Sequence, residues 1–178
     1  ITVGPMNNAA GAYLNDVIFD STRNDLTVAG TVGTITLNGN ILLDDNGAAD
    51  PSQFSVEGNG GAAPSFQNSQ IVVGVASLLI DTEQGNDGPG GSFAIASNTA
   101  AVQFTSTIAG RDLTIDTSTT AAGQSGGAIN YPTTNNAGGA FLNDILLNSS
   151  GGAGGTAGLV TLRDVFLDDS AGDAASLT

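Results

Sequence analysis

The sequence predicts an all-β protein and, within that class, a parallel β-solenoid. Three observations lead there. Short apolar clusters recur along the whole chain with turn formers between them, and several stretches repeat at fixed offsets. The long helix formers Lys, Glu and Gln are nearly missing from a composition rich in Gly, Ala, Thr, Ser and Asn. Thr and Val suit a pleated backbone, and a chain poor in straight-chain polar residues gives helices little support. The 178 residues suffice for one domain with a real core. The 26 glycines alone would suggest disorder, but the regular Leu, Ile, Val and Phe clusters supply apolar surface that disordered chains lack.

In chain order the predicted strands are "LNDVIF" (14–19), "LTV" (26–28), "TITL" (34–37), "ILL" (41–43), "FSV" (54–56) and the run "IVVGVASLLI" (71–80). There follow "FAI" (93–95), "VQF" (102–104), "LTI" (113–115), "FLNDILL" (141–147), "LVTL" (159–162) and "VFL" (165–167). Several alternate apolar with polar residues, the period of a strand with one buried face. That alternation points Leu14, Val17 or Ile18, Leu37, Ile80, Ile115, Leu142 and Leu162 inward.

"TITLNGNILL" admits a rival reading, because Asn-Gly between two strand-like runs is a strong hairpin signal. Its second version, "TLRDVFL" (161–167), has lost one position and carries Arg163-Asp164 where Asn-Gly should be. A tight hairpin does not survive that change. A solenoid corner does, because the strands on either side pair with neighbouring coils and not with each other.

Repetition runs through the chain. "NNAAGAYLND" (7–16) returns as "NNAGGAFLND" (135–144), an offset of 128 (7 to 135), and "TLNGNILLDD" (36–45) returns as "TLRDVFLDD" (161–169) with one residue deleted. Residues 1–45 thus correspond to about 129–169, so the chain reads as a single solenoid segment, 1–178, with about one and a third copies of a ~128-residue super-repeat. Tyr13 should then superpose on Phe141 and Asp44 on Asp168. A shorter repeat sets "LLIDTEQGNDGPGGSF" (78–93) over "LTIDTSTTAAGQSGGA" (113–128) at an offset of 35 (78 to 113).

"VQFTSTIAGRDLTIDTSTTAAGQSGGAI" and "LLIDTEQGNDGPGGSFAI" resemble repeats of giant secreted bacterial proteins of the filamentous-haemagglutinin type. The resemblance covers residues 71–178 best and the remainder through the internal repeat. It implies a right-handed parallel β-helix exposed outside the cell. The amino-terminal secretion domain of such adhesins has no counterpart in this stretch.

Charge and composition exclude several functions. Three basic residues (Arg23, Arg111 and Arg163) face 17 acidic ones, for a net charge of −14. Nucleic-acid backbones and anionic lipid surfaces are repelled by such a chain. With neither Cys nor His, the usual zinc sites, thiol catalysis and imidazole acid–base chemistry are absent. The longest apolar run, 71–80, is too short to span a membrane. A first residue of Ile, with no signal peptide in view, suggests a processed product or fragment.

Candidate site residues are acidic. Asp44/Asp45 and Asp168/Asp169 recur as pairs and could ligate calcium, which takes oxygen ligands from Asp, Asn and carbonyls. "EQGNDGPGG" (83–91) faintly resembles glycine-aspartate calcium repeats, but its twin "STTAAGQSG" lacks the acids, and the plainer reading of each Asp is a turn cap. Paired carboxylates also serve glycoside hydrolysis, yet a sugar-cleaving site needs basic groups this chain hardly has, so no catalytic residue is assigned. "SSGGAGGTAG" (149–158) and "EGNGGAAP" (57–64) read as exposed loops, and Asn148-Ser149-Ser150 is an N-glycosylation sequon.

The expectation is therefore a structural, extracellular or cell-surface segment: the shaft or filament-forming part of an adhesin-like protein, not an enzyme. No cofactor is expected, calcium being the one candidate, and the segment is expected to self-associate end to end or laterally into fibres. The chain ends in "SLT" and begins "ITV", which joined would spell a strand like "DLTIDT". A calcium-dependent module for surface glycans is the alternative, with a polysaccharide-active enzyme behind it.

Overall fold

The computed structural model describes residues 1–6, 13–20, 34–45, 51–57, 70–96, 103–106, 108–134, 141–167 and 174–178. Its strands are short because each ends where the chain turns a corner. One coil contributes β1 (Thr2–Val3) and β2 (Asp16–Asp20), and the next β3 (Thr34–Leu37), β4 (Ile41–Leu42) and β5 (Gln53–Glu57). Above them lie β6 (Gln70–Val73), β7 (Ser77–Asp81) and β8 (Ser92–Ala96), then β9 (Gln103–Thr105), β10 (Arg111–Asp116) and β11 (Ile129–Asn130). The stack ends with β12 (Thr133–Thr134), β13 (Leu142–Asn148), β14 (Val160–Thr161) and β15 (Ser176–Leu177).

These strands form three sheets, all with parallel pairing. The first face is β1-β3-β6-β9-β12, the second β4-β7-β10-β13-β15 and the third β2-β5-β8-β11-β14. The protein is a parallel β-solenoid, as its sequence predicts.

Alternation places one side of every strand inside. Along β7 Leu78 and Ile80 are buried between more accessible neighbours, and Leu113 and Ile115 repeat the pattern on β10. Like residues stack: Phe54 pairs with Phe93 on the third face, their rings parallel and 5.3 Å apart. Phe93 continues the stack to Phe104, and Phe104 to Tyr131 at 5.5 Å. Burying each such side chain contributes about 1.5–3 kcal/mol, and each ring pair a further ~0.5–1.5 kcal/mol.

Asn38-Gly39-Asn40 is a corner and not a hairpin, since β3 and β4 belong to different sheets. Gly39 is required there because a Cβ would lie 2.6 Å from the Pro5 nitrogen on the coil below. The run 71–80, continuous in the sequence, is likewise broken at Gly74–Ala76 into strands on two faces.

Val17, Leu37, Ile80, Ile115 and Leu142 are buried as expected, but Leu14 is 56% exposed and Leu162 44% exposed. Both lie in inward columns. Leu14 pairs with the fully buried Leu43, and the register Ile129↔Val160 sets Leu162 level with the buried Tyr131. They are exposed because they sit on terminal coils, with no further described coil to cover them. Alternation fixes direction, whereas burial needs a neighbour.

The 35-residue repeat is the spacing of coils: Leu78 pairs with Leu113, Ile80 with Ile115 and Asp81 with Asp116. The long repeat does not superpose, contrary to expectation. Asp16–Asp20 runs along the third face, while the matching Leu142–Asn148 runs along the second. The column from Leu14 passes through Leu43, and the registers Leu42↔Asp81, Asp81↔Asp116 and Asp116↔Asn148 carry it to Ser149, seven positions beyond Leu142 (142 to 149). Early coils are longer than late ones, at 39 residues from Ile41 to Ile80 but 32 from Asp116 to Asn148, so a fixed offset drifts out of phase. Within the chain, "SLT" lies on the second face in β15 and "ITV" on the first in β1.

Candidate metal centre

The corner between the second and third faces gathers acidic side chains from two successive coils. Ile41 pairs with Ile80 and Leu42 with Asp81, an offset of 39 (41 to 80). The ladder extends past the strands, as Leu43 donates to the Asp81 carbonyl at 2.8 Å and Gln84 to the Leu43 carbonyl at 2.9 Å. Just beyond, where the Glu83 amide turns to the Asp81 side chain and Gln84 takes its place in the ladder, Asp44 lies beside the stretch that begins at Glu83. Asp44, Asp45 and Glu83 are buried, Asp87 is exposed, and one carboxylate oxygen from each falls within 4.8 Å of all the others.

The loop from 83 to 88 is folded by these acids. Oε1 of Glu83 accepts the amides of Asp87 at 3.2 Å and Gly88 at 3.1 Å, which curls the chain back over its own side chain. Gly85 donates to Asp44 Oδ1 at 3.2 Å, tying the loop to the coil below. Asn86, at a φ of 55°, takes the left-handed turn that Asn tolerates well. Asp81 accepts the Glu83 amide at 3.0 Å.

Burial raises both acids on the upper coil. The carboxyl of Glu83 is pushed up to about 7, by burial first and by the charges of Asp45 and Asp44 after it, against the opposing amides of Gly88 and Asp87. Asp81 rises to about 6, again chiefly by burial, with the charges of Asp116 and Asp44 adding and the Glu83 amide opposing. Such a group of oxygens can hold a proton or a metal ion.

Of the four expected ligands, the structure brings Asp44 and Asp45 together, while Asp168 and Asp169 lie outside the described residues. The partners sequence reasoning missed are Glu83 and Asp87. Their signal lies in "EQGNDGPGG", whose twin 35 residues later lacks the acids, while the acids it meets are those of "ILLDD" one coil earlier. Comparing the two needed the coil length of 39, which no sequence repeat displays.

Two other motifs change meaning. "SSGGAGGTAG" is not simply an exposed loop: it stacks on residues 119–127, with Thr119 donating to Ser150 and Gly126 to Thr156 at 3.0 and 2.9 Å. The sequon amide of Asn148 is engaged, donating to Asp116 Oδ2 at 3.2 Å and Ser118 Oγ at 3.0 Å. "EGNGGAAP" falls almost wholly outside the described residues. Compared with protein-family models, curated proteins and solved structures, the chain matches none.

Proposed function

We propose that this chain is a structural piece of an extracellular, repetitive β-solenoid: the shaft or filament-forming segment of an adhesin-like surface protein of the filamentous-haemagglutinin type. The supporting observation is the open ladder. The outermost described strands β12, β15 and β14 at one end, and β1 and β2 at the other, have a single neighbour, while β4 is bridged on its outer side by Met6. Unpaired parallel edges are templates for further strands. At the β14 end Leu162, in the inward column of the buried Tyr131, is 44% exposed, and a following coil would bury it. The work of such a molecule is mechanical, and the reading assigns it no reaction, no nucleic acid and no membrane insertion.

Electron microscopy across a range of protein concentrations tests this. The expected result is rods of constant width that lengthen with concentration. Single particles of fixed length at every concentration would remove the filament reading. A second reading, a calcium-dependent module for surface glycans, is favoured by the acidic corner. It requires glycan binding that disappears on chelation.

A further inference from the structure

We propose that Asp44, Asp45, Glu83 and Asp87 form a calcium site that clamps two successive coils of the solenoid. The inference is independent of the filament reading, because all four ligands belong to one chain.

Reach comes first. Oxygens around one calcium ion lie about 2.3–2.6 Å from it, hence no more than about 5 Å from each other. The four carboxylates meet that limit, with one oxygen of each within 4.8 Å of the rest. They come in pairs from two coils, Asp44-Asp45 following β4 and Glu83 with Asp87 following β7. An ion bound by all four therefore spans the interface between coils.

An orphaned oxygen is the independent sign of a ligand. Glu83 is 1% exposed, and its Oε1 accepts two backbone amides. Its Oε2 is fully buried and has no hydrogen-bond partner. A carboxylate in that position loses its hydration without replacement, which costs more than almost any other arrangement of a polar atom. A cation supplies what the protein does not. The chain has few alternatives, with 3 basic residues, none of them Lys, against 17 acidic ones.

The loop is cut to clear the acids. A Cβ on Gly85 would lie 2.6 Å from Asp44 Oδ1, and one on Gly88 would collide with the Asp45 carboxylate. Glycine at both positions leaves room for the oxygens. The chemistry selects the ion: the donors are all hard oxygens, and the chain has neither His nor Cys to attract softer metals. Magnesium demands near-octahedral geometry and keeps several waters, whereas calcium accepts irregular carboxylate sets of six to eight oxygens.

The test is isothermal titration of the full chain, stripped with chelator, with calcium chloride and separately with magnesium chloride. Wild type should bind one calcium per chain, and its melting temperature should rise in calcium above that in sodium chloride of equal ionic strength. Glu83→Gln should weaken binding at least tenfold. Asp87→Asn, at an exposed residue whose loss should not disturb folding, should weaken it severalfold. Asp144→Asn, which removes one charge elsewhere on the second face, should leave it unchanged. No saturable binding, or equal losses in Asp87→Asn and Asp144→Asn, would overturn the site in favour of a diffuse ion atmosphere. Magnesium binding as tight as calcium would overturn the assignment of the ion.

Discussion

At the corner after β4 and β7, Asp44 and Glu83 come together from neighbouring coils. The same column, followed through the registers Asp81↔Asp116 and Asp116↔Asn148, reaches Ser118 and Ser150 at the corner after β10 and β13. The serine corner closes on itself. Asn148 donates to Asp116 and to Ser118, and its Oδ1 accepts both the amide and the hydroxyl of Ser150, at 3.2 and 2.8 Å. Thr117 Oγ1 meanwhile donates to the Gly127 carbonyl at 2.8 Å. Hydroxyls and amides each carry a donor and an acceptor, so a stacked column of them satisfies itself. Carboxylates only accept, and stacking them leaves a deficit of donors that backbone amides, protons or a cation must fill. Position in the solenoid is therefore shared between the two corners, while the need for an external charge belongs to one.

The largest expected difference lies in how tightly each corner is packed. A Cβ on Gly127 would strike the backbone of Gly91, with Gly90 O only 2.7 Å away, whereas at Gly85 it meets the end of the Asp44 side chain. Backbone held in a ladder cannot yield, but a carboxylate can rotate. Gly127→Ala should cost about 3 kcal/mol or more and Gly85→Ala about 1–2 kcal/mol, read from urea midpoints in chelator. Equal costs would mean that the acidic corner is as rigid as the neutral one.

Next in size is the exchange of chemistry between the corners. Asn148→Asp sets a carboxylate oxygen against Asp116, where the amide now donates at 3.2 Å. It should destabilise the chain at neutral pH by about 2 kcal/mol, through a lost charge-assisted hydrogen bond and a new like-charge contact. Thermal melts in low salt check this. No change would show that water reaches that corner freely enough to screen both charges.

How far these corners were legible in the sequence depends on what each needed. The apolar strands were readable from alternation, and "LLIDT" over "LTIDT" gave one true coil offset because the two segments stack directly. The 128-residue repeat, the stronger match by eye, misled about position because the coils between its copies differ in length. Asp44 and Asp45 stand out as a pair, whereas Glu83 is a single acid at the start of "EQGNDGPGG". Its burial depends on a loop curled over it by Asp87 and Gly88, a tertiary fact without a periodic signature. β11 and β12 were not foreseen at all, since "IN" and "TT" are too short to show a pattern and are held as strands by their neighbours.

The smallest expected effect is a pH drift confined to the acidic corner. Glu83 titrates near 7 in the folded chain and near 4.5 as an ordinary glutamate. Between those values the folded state holds a proton that the unfolded state has released, so stability falls as pH rises through that window. The contribution is fully present below about 4.5, and beyond about 7 the loss is complete. Asp81 adds a drift of the same sign over a lower window, up to about 6. A single titrating group changes stability by at most about 1.4 kcal/mol per pH unit, so over any one unit the drift is smaller than either substitution effect. Other carboxylates titrate across the same range, which makes the useful quantity the difference between wild type and Glu83→Gln in chelator. Gln keeps an Oε1 for the amides of Asp87 and Gly88 but has no proton to lose, so the variant should match or fall below wild type near pH 4.5 and gain on it steadily toward pH 7. Parallel stability curves for the two proteins would mean that Glu83 is ionised at all these pH values, with its charge already met by solvent. In calcium the wild-type slope should flatten, because an ion then replaces the proton.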